Sequence, residues 1–128
     1  MIAQFKHVLK VAHALVREHI IKASTRSAEW PKTRKLFLKS NPKCACCGST
    51  ALLQVHHLVP FHLHHELELD PKNLITLCMS KNECHLLVGH GDNFKKYNPY
   101  VAADVKNVAS GIISLQEAQK LAKKNAIF

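Results

Sequence analysis

The sequence predicts a small α+β domain: a strand–loop–strand–helix core tied together by cysteines, with helices on either side. Three observations point there. Cysteines fall in two clusters, Cys44-Ala45-Cys46-Cys47-Gly48 and Cys78 with Cys84, around two short apolar runs and a histidine-rich stretch. Apolar residues recur at three- and four-residue spacing before the first cluster and after the second, the period of amphipathic helices. The chain has 128 residues, 47% of them hydrophobic, but only five Phe, two Tyr and one Trp. One modest core follows, of the size that commonly leans on a metal staple.

In chain order, residues 2–22 read as a helix. Phe5, Val8, Leu9, Ala12, Leu15, Val16 and Ile20 form its apolar stripe, and Lys6, Lys10, Arg17 and Lys22 take other positions. Such a helix either packs on the core or lays its basic face on a phosphate backbone. Residues 23–29 are a polar turn. A second helix starts between Ser27, a candidate cap, and Pro31, which suits a first helical turn. It ends near Asn41, because Pro42 disfavours helix in the residue before it. Trp30, Phe37 and Leu38 should face the core, leaving Arg34, Lys35, Lys39 and Lys43 for phosphate contacts.

Residues 52–57 alternate weakly and predict a strand ending on His56-His57. A loop over 58–72 holds His62, His64, His65, Glu66, Glu68 and Asp70. Leu74 to Leu77 is a second strand, bounded by Pro71-Lys72-Asn73 and closed by Cys78. Residues 84–89 begin a helix that presents His85 and His90. Gly91-Asp92-Asn93 is a turn, and Phe94 to Pro99 is basic and aromatic. A helix over 101–110 is broken by Gly111. Ser114-Leu115-Gln116-Glu117 is a capping-box sequence that opens a last helix to about Lys124, packed through Leu115, Ala118, Leu121 and Ala122. The expected division of this single domain is a basic helical extension (1–43), a metal-binding core (44–93) and a helical tail (94–128).

Charge is uneven. The chain carries 18 Lys and Arg against 9 acids, and residues 1–50 alone hold ten against two. That asymmetry suits a polyanionic partner, or simply a solvated basic surface. An odd cysteine count, no visible signal peptide and interleaved histidines argue against a disulfide framework. The expectation is a reducing, cytoplasmic protein with no membrane span.

Cys44 and Cys47 have zinc-knuckle spacing, and Gly48 permits the tight turn after them. With Cys78 and Cys84 they supply four thiolates, a closed tetrahedral set that suits a structural zinc ion. Five residues separate the second pair, and Cys46 is read as a bystander. The plainer alternative is four small buried hydrophobes. Seven of the ten histidines lie between His56 and His90. Adjacent side chains on a strand point to opposite faces, so His56 and His57 divide into metal ligand and base. His62, His64 and His65 read as solvated loop residues.

The pattern of two cysteine pairs around His56-His57, Pro60 three residues on, Asn73-Leu74 at the second strand and Cys84-His85 after it resembles the zinc-containing HNH endonucleases of ββα-metal type. The resemblance runs from Trp30 to His90, and residues 89–99 are similar to tails of phage-like and bacterial standalone members. It implies a ββα-metal fold that hydrolyses DNA phosphodiesters. His57 would be the general base, and Asn73 would steady the loop and the base. His56 would ligate a divalent ion (magnesium, manganese, nickel or zinc). His85 or His90 would match the last histidine: His85 if the three extra residues between Cys78 and Cys84 loop out, with His90 a third ligand. Arg34, Lys35, Lys39, Lys43, Lys95 and Lys96 would contact the DNA backbone, and the enzyme would be a monomer or homodimer. Two other readings remain: a non-catalytic zinc-stabilised DNA-binding module, and a metal-storage or redox protein using the histidine-rich loop.

Overall fold

The computed structural model of the protein describes residues 25–128. The helix expected over 2–22 lies outside them. The described elements are helix α1 (Trp30–Ser40), strands β1 (Leu53–His57) and β2 (Leu74–Cys78), a single π-helical turn (His85–Gly89), and helices α2 (Val101–Ala109) and α3 (Leu115–Asn125). This is a small α+β fold built around one two-stranded antiparallel sheet. Among the described residues no helix is long and apolar enough to cross a membrane.

The sheet register pairs Leu53 with Cys78, Gln54 with Leu77, Val55 with Thr76, His56 with Ile75 and His57 with Leu74. Directly paired residues share a face, so the sheet has two different sides. Val55, His57, Leu74 and Thr76 face α1, whose Trp30 ring lies 4.6 Å from the His57 ring. The Thr76 hydroxyl donates to the Asn41 carbonyl at 2.9 Å, fixing the end of α1 against β2. Gln54, His56, Ile75 and Leu77 face the π-turn and, behind it, α2 and α3.

The long loop between the strands is organised by two 3₁₀ turns, His65–Leu67 and Pro71–Asn73. Asp70 caps the second by accepting from the Lys72 amide at 2.9 Å. Gly91 and Asp92 make the turn after the π-helix, with φ of 61° and 70°. Gly91 has no room for a side chain, because a Cβ would sit 2.5 Å from the Ala126 Cβ.

Three expectations need correction. Ser27 does not cap α1: Glu29 occupies the N-cap position without a side-chain bond, and the Ser27 hydroxyl instead accepts from the Glu29 amide at 3.1 Å. The helix starts at Trp30, within the expected window from Ser27 to Pro31, and the Ser27 carbonyl accepts from Trp30 N ahead of its first turn. Leu121 is exposed; α3 buries Ala118 and Ala122 instead, since small residues let the helix lie closer to the core than a leucine stripe would. The capping box at Ser114 is half made: its hydroxyl accepts from Glu117 N at 3.1 Å, and no return bond from Glu117 forms among the described residues.

The core cluster is Cys44, Cys46, Leu77, Cys78, Cys84, Val88, Val101, Val105 and Ala118. Four of these nine are cysteines, so the packing leans on sulfur rather than on large apolar side chains. A buried polar clamp joins α2 to the π-turn. Asn98, fully buried, donates to the Val88 carbonyl (3.1 Å) and to Asp104 (2.8 Å), while its own oxygen accepts from Tyr100 N (3.0 Å). Its backbone amide donates to the Gly89 carbonyl at 2.9 Å. Replacing Asn98 with Ala leaves the Val88 carbonyl and the buried Asp104 carboxylate without their donor. We expect unfolding in urea to lose about 2–4 kcal/mol of stability, because stranded buried acceptors, and charged ones above all, carry the full desolvation cost. An unchanged urea midpoint would contradict the clamp.

Candidate metal centres and catalytic cleft

The first cysteine cluster folds as a knuckle. Gly48 N donates to the Cys44 carbonyl at 2.9 Å, Cys44 N donates to the Ser49 carbonyl at 2.8 Å, and Gly48 sits at φ 79°. Ala45 N donates to the Thr76 carbonyl, which pins the knuckle on β2. The residues between Cys78 and Cys84 form a separate turn, closed by Glu83 N donating to the Ser80 carbonyl, with Glu83 at φ 44°. The extra length therefore projects away and brings Cys84 back to the sheet.

The sulfurs of Cys44, Cys47, Cys78 and Cys84 lie within 4.8 Å of one another. A zinc tetrahedron with Zn–S of about 2.3 Å has sulfur–sulfur edges of about 3.8 Å. The Cys47–Cys78 separation is 3.6 Å. Crowded thiols resist ionising without a cation. The Cys84 contact and burial push Cys44 up to about 12. The Cys44 contact lowers Cys84, but Cys46 and burial outweigh it and leave Cys84 raised. Burial also raises Cys47. Four soft donors at tetrahedral spacing fit an ion such as zinc. Cys46 is buried beside them, outside the group of four.

On the π-facing side of the sheet, His56, His85 and His90 form a second cluster, with ligand atoms within 4.8 Å of one another. His85 and His90 are five residues apart. In an α-helix of about 3.6 residues per turn such positions diverge by roughly 140°. Here the turn is π-helical, His90 N donates to the His85 carbonyl at 3.1 Å, and the two rings share a face. Their centroids are 4.9 Å apart, and each lies within 5.0 Å of the His56 ring. Gly89 makes room: a Cβ there would sit 3.1 Å from His56 Cε1.

Partners fix the orientation of two of the three rings. His85 Nδ1 donates to the Gln54 side-chain oxygen at 2.6 Å, and His90 Nδ1 donates to the Lys96 carbonyl at 2.6 Å. Because an oxygen acceptor takes each Nδ1 proton, each Nε2 is left with its lone pair. Those two Nε2 atoms face each other at 3.2 Å. Two lone pairs at that distance repel unless a cation lies between them. His56 Nε2 is buried and has no partner among the described residues. Burial, followed by the neighbouring imidazoles, pushes His56 well below the usual histidine range and takes His85 down to about 4. Burial lowers His90 as well, opposed by the Lys96 carbonyl. Three neutral imidazoles with converging nitrogens fit a divalent ion with open positions left over.

His57, on the opposite side of β1, donates from Nε2 to the Glu68 carbonyl at 3.0 Å, which leaves Nδ1 as its basic nitrogen. Burial lowers its proton affinity, and the Glu68 carbonyl opposes that. Asn73 binds the loop from inside. Its oxygen accepts from Val59 N (2.8 Å), and its amide donates to the carbonyls of Val59 (3.0 Å) and Leu67 (3.2 Å). Leu67 precedes Glu68, so Asn73 steadies the segment that orients His57.

His56, His57, His85 and His90 line one cleft of about 300 Å³, with Arg26, His62, Phe94, Lys95 and Lys96 on its walls. His64 and His65 lie on the exposed loop outside it. Arg34, Lys35, Lys39 and Lys43 are exposed along and after α1, and Lys95 is exposed at the cleft mouth. Lys96 is half-buried, its ammonium 5.0 Å above the Phe128 ring. Sequence reasoning missed Gln54, Glu68 and Arg26. Glu68 is buried in a nominally polar loop, accepts from Ser27 N at 3.0 Å and pairs with Arg26 at 3.4 Å. Gln54 was legible in principle, because it stands two residues before His56 and therefore on the same strand face.

No curated protein and no solved structure matches the chain. A family model does match, over residues 44–91, and it is that of HNH endonuclease. The matched segment begins at the first cysteine of one cluster and ends just past the last histidine of the other, so the likeness to the HNH endonuclease family covers the stretch that holds both.

Proposed function

We propose that the protein is a metal-dependent DNA endonuclease. The supporting observation is one cleft in which three imidazole nitrogens converge beside a fourth histidine whose free nitrogen is Nδ1. In this reading His56, His85 and His90 hold a magnesium, manganese, nickel or zinc ion. The ion, when bound, supplies positive charge at the scissile phosphate and at the departing 3′ oxygen. His57 Nδ1 removes a proton from water as that water attacks phosphorus in line. A new P–O bond forms, the P–O3′ bond breaks, and the 3′ oxygen is protonated by solvent. The Glu68 carbonyl and Asn73 hold the base in place. Cys44, Cys47, Cys78 and Cys84 hold a structural zinc ion. Arg34, Lys35, Lys39, Lys43, Lys95 and Lys96 contact the phosphate backbone, giving salt-dependent binding with little sequence preference. Residues 1–128 act as one domain.

Supercoiled plasmid tests the reading. The intact protein, supplied with each divalent ion in turn, is expected to nick it. His57→Ala should slow nicking by about 10²- to 10⁴-fold, the usual contribution of a positioned base, while the fold and DNA affinity stay unchanged. Binding without cleavage by the intact protein under every ion would instead identify a non-catalytic zinc module.

Chelation should proceed in two stages. A mild chelator empties the three-histidine site first, stopping cleavage with circular dichroism unchanged. Stronger chelation, or Cys78→Ser, removes the structural ion and unfolds the domain, since binding energy at such a site is folding energy. A Cys78→Ser chain that stays folded would overturn the structural role of the sulfur site.

A further inference from the structure

Residues beyond the family match reach back to the imidazole cluster through one peptide group. The Lys96 carbonyl accepts from His90 Nδ1 at 2.6 Å, and the amide of that same peptide bond, Tyr97 N, donates to the Ile127 carbonyl at 2.8 Å. In a planar trans peptide the C=O and N–H point in opposite directions. The plane between Lys96 and Tyr97 is thus gripped on one edge by Ile127 and holds His90 with the other. Ile127 N donates to the Tyr97 carbonyl at 3.0 Å, completing a two-bond bridge. Ala126 fills the space at Gly91, the residue after His90, and α3 delivers the segment to that point.

We infer that Ile127, acting through the Lys96–Tyr97 peptide plane, is a positioning residue for His90. It fixes that ring as the Nδ1–H tautomer and so aims its Nε2 lone pair at the ion. The inference rests on the reading of His56, His85 and His90 as ligands. Free of Ile127, the peptide plane can rotate, His90 loses its acceptor, and Nε2 no longer stays deprotonated and in place. Backbone partners of this kind typically tune metal affinity by about 10- to 100-fold. The Phe128 ring beneath the Lys96 ammonium is a lesser part of the bridge, because an exposed cation–π contact contributes little.

Three variants test this, each with zinc in the sulfur site: a chain lacking Ile127 and Phe128, Tyr97→Pro, which deletes the donating amide, and Phe128→Ala. Cobalt(II) is titrated and read by its visible absorption, and the His90 tautomer is read by nitrogen-15 NMR without added cobalt. The shortened chain and Tyr97→Pro should bind cobalt about 10- to 100-fold more weakly and show mixed His90 tautomers. Phe128→Ala should stay within about threefold of the intact protein. A shortened chain that keeps its zinc, binds cobalt as tightly as the intact protein and retains Nδ1–H at His90 overturns the inference. Should the shortened chain lose its zinc, Tyr97→Pro decides by the same two readings. An intact protein with Nε2–H at His90 also overturns it. Failure of the intact protein to bind cobalt defeats the ligand reading instead, and the tautomer measurement still judges the bridge.

Discussion

Three imidazoles in this fold are turned towards one point, and two of them are held there by bonds at the far side of the ring. His85 is fixed by Gln54 and His90 by the Lys96 carbonyl, so their Nε2 atoms meet at 3.2 Å with lone pairs opposed. His56 adds a buried nitrogen with no partner among the described residues. That arrangement is costly for an empty protein and favourable around a cation. Much of the surrounding structure follows from it: the π-turn that aligns residues five apart, Gly89 where a Cβ would crowd the His56 ring, and the Asn98 clamp that holds the turn on α2.

The sheet separates its two adjacent histidines with the same economy of means. Two consecutive residues of β1 serve opposite faces, which puts His56 with the imidazole cluster and His57 against Trp30 and the Glu68 carbonyl. The cleft joins them at the strand end. The sulfur cluster sits at the other end of the strand pair, where Leu53 meets Cys78. A two-stranded sheet has little stability of its own, and a cluster able to hold a metal ion lies towards each end of this one.

Much of this was legible in the sequence, because residue type and spacing carried it. The cysteine pair with two residues between them, the adjacent histidines and the apolar run before Cys78 located both strands and both clusters. What was not legible depended on contacts between distant segments. Ser27 looks like a cap, but its hydroxyl bonds Glu29 N and its amide bonds Glu68. Leu121 fits a helical stripe, yet the neighbouring alanines take the buried face. The five-residue spacing of His85 and His90 looks wrong for a helix until the turn is known to be π-helical. The bridge from Ile127 to His90 runs through backbone atoms, which no side-chain pattern records.

The most direct test of the account is anomalous diffraction from crystals of the protein with zinc in the sulfur site and cobalt(II) added afterwards. The account predicts a cobalt peak bonded to His56, His85 and His90, separate from a zinc peak among Cys44, Cys47, Cys78 and Cys84. A zinc peak alone, with no cobalt between the three imidazoles, would contradict it.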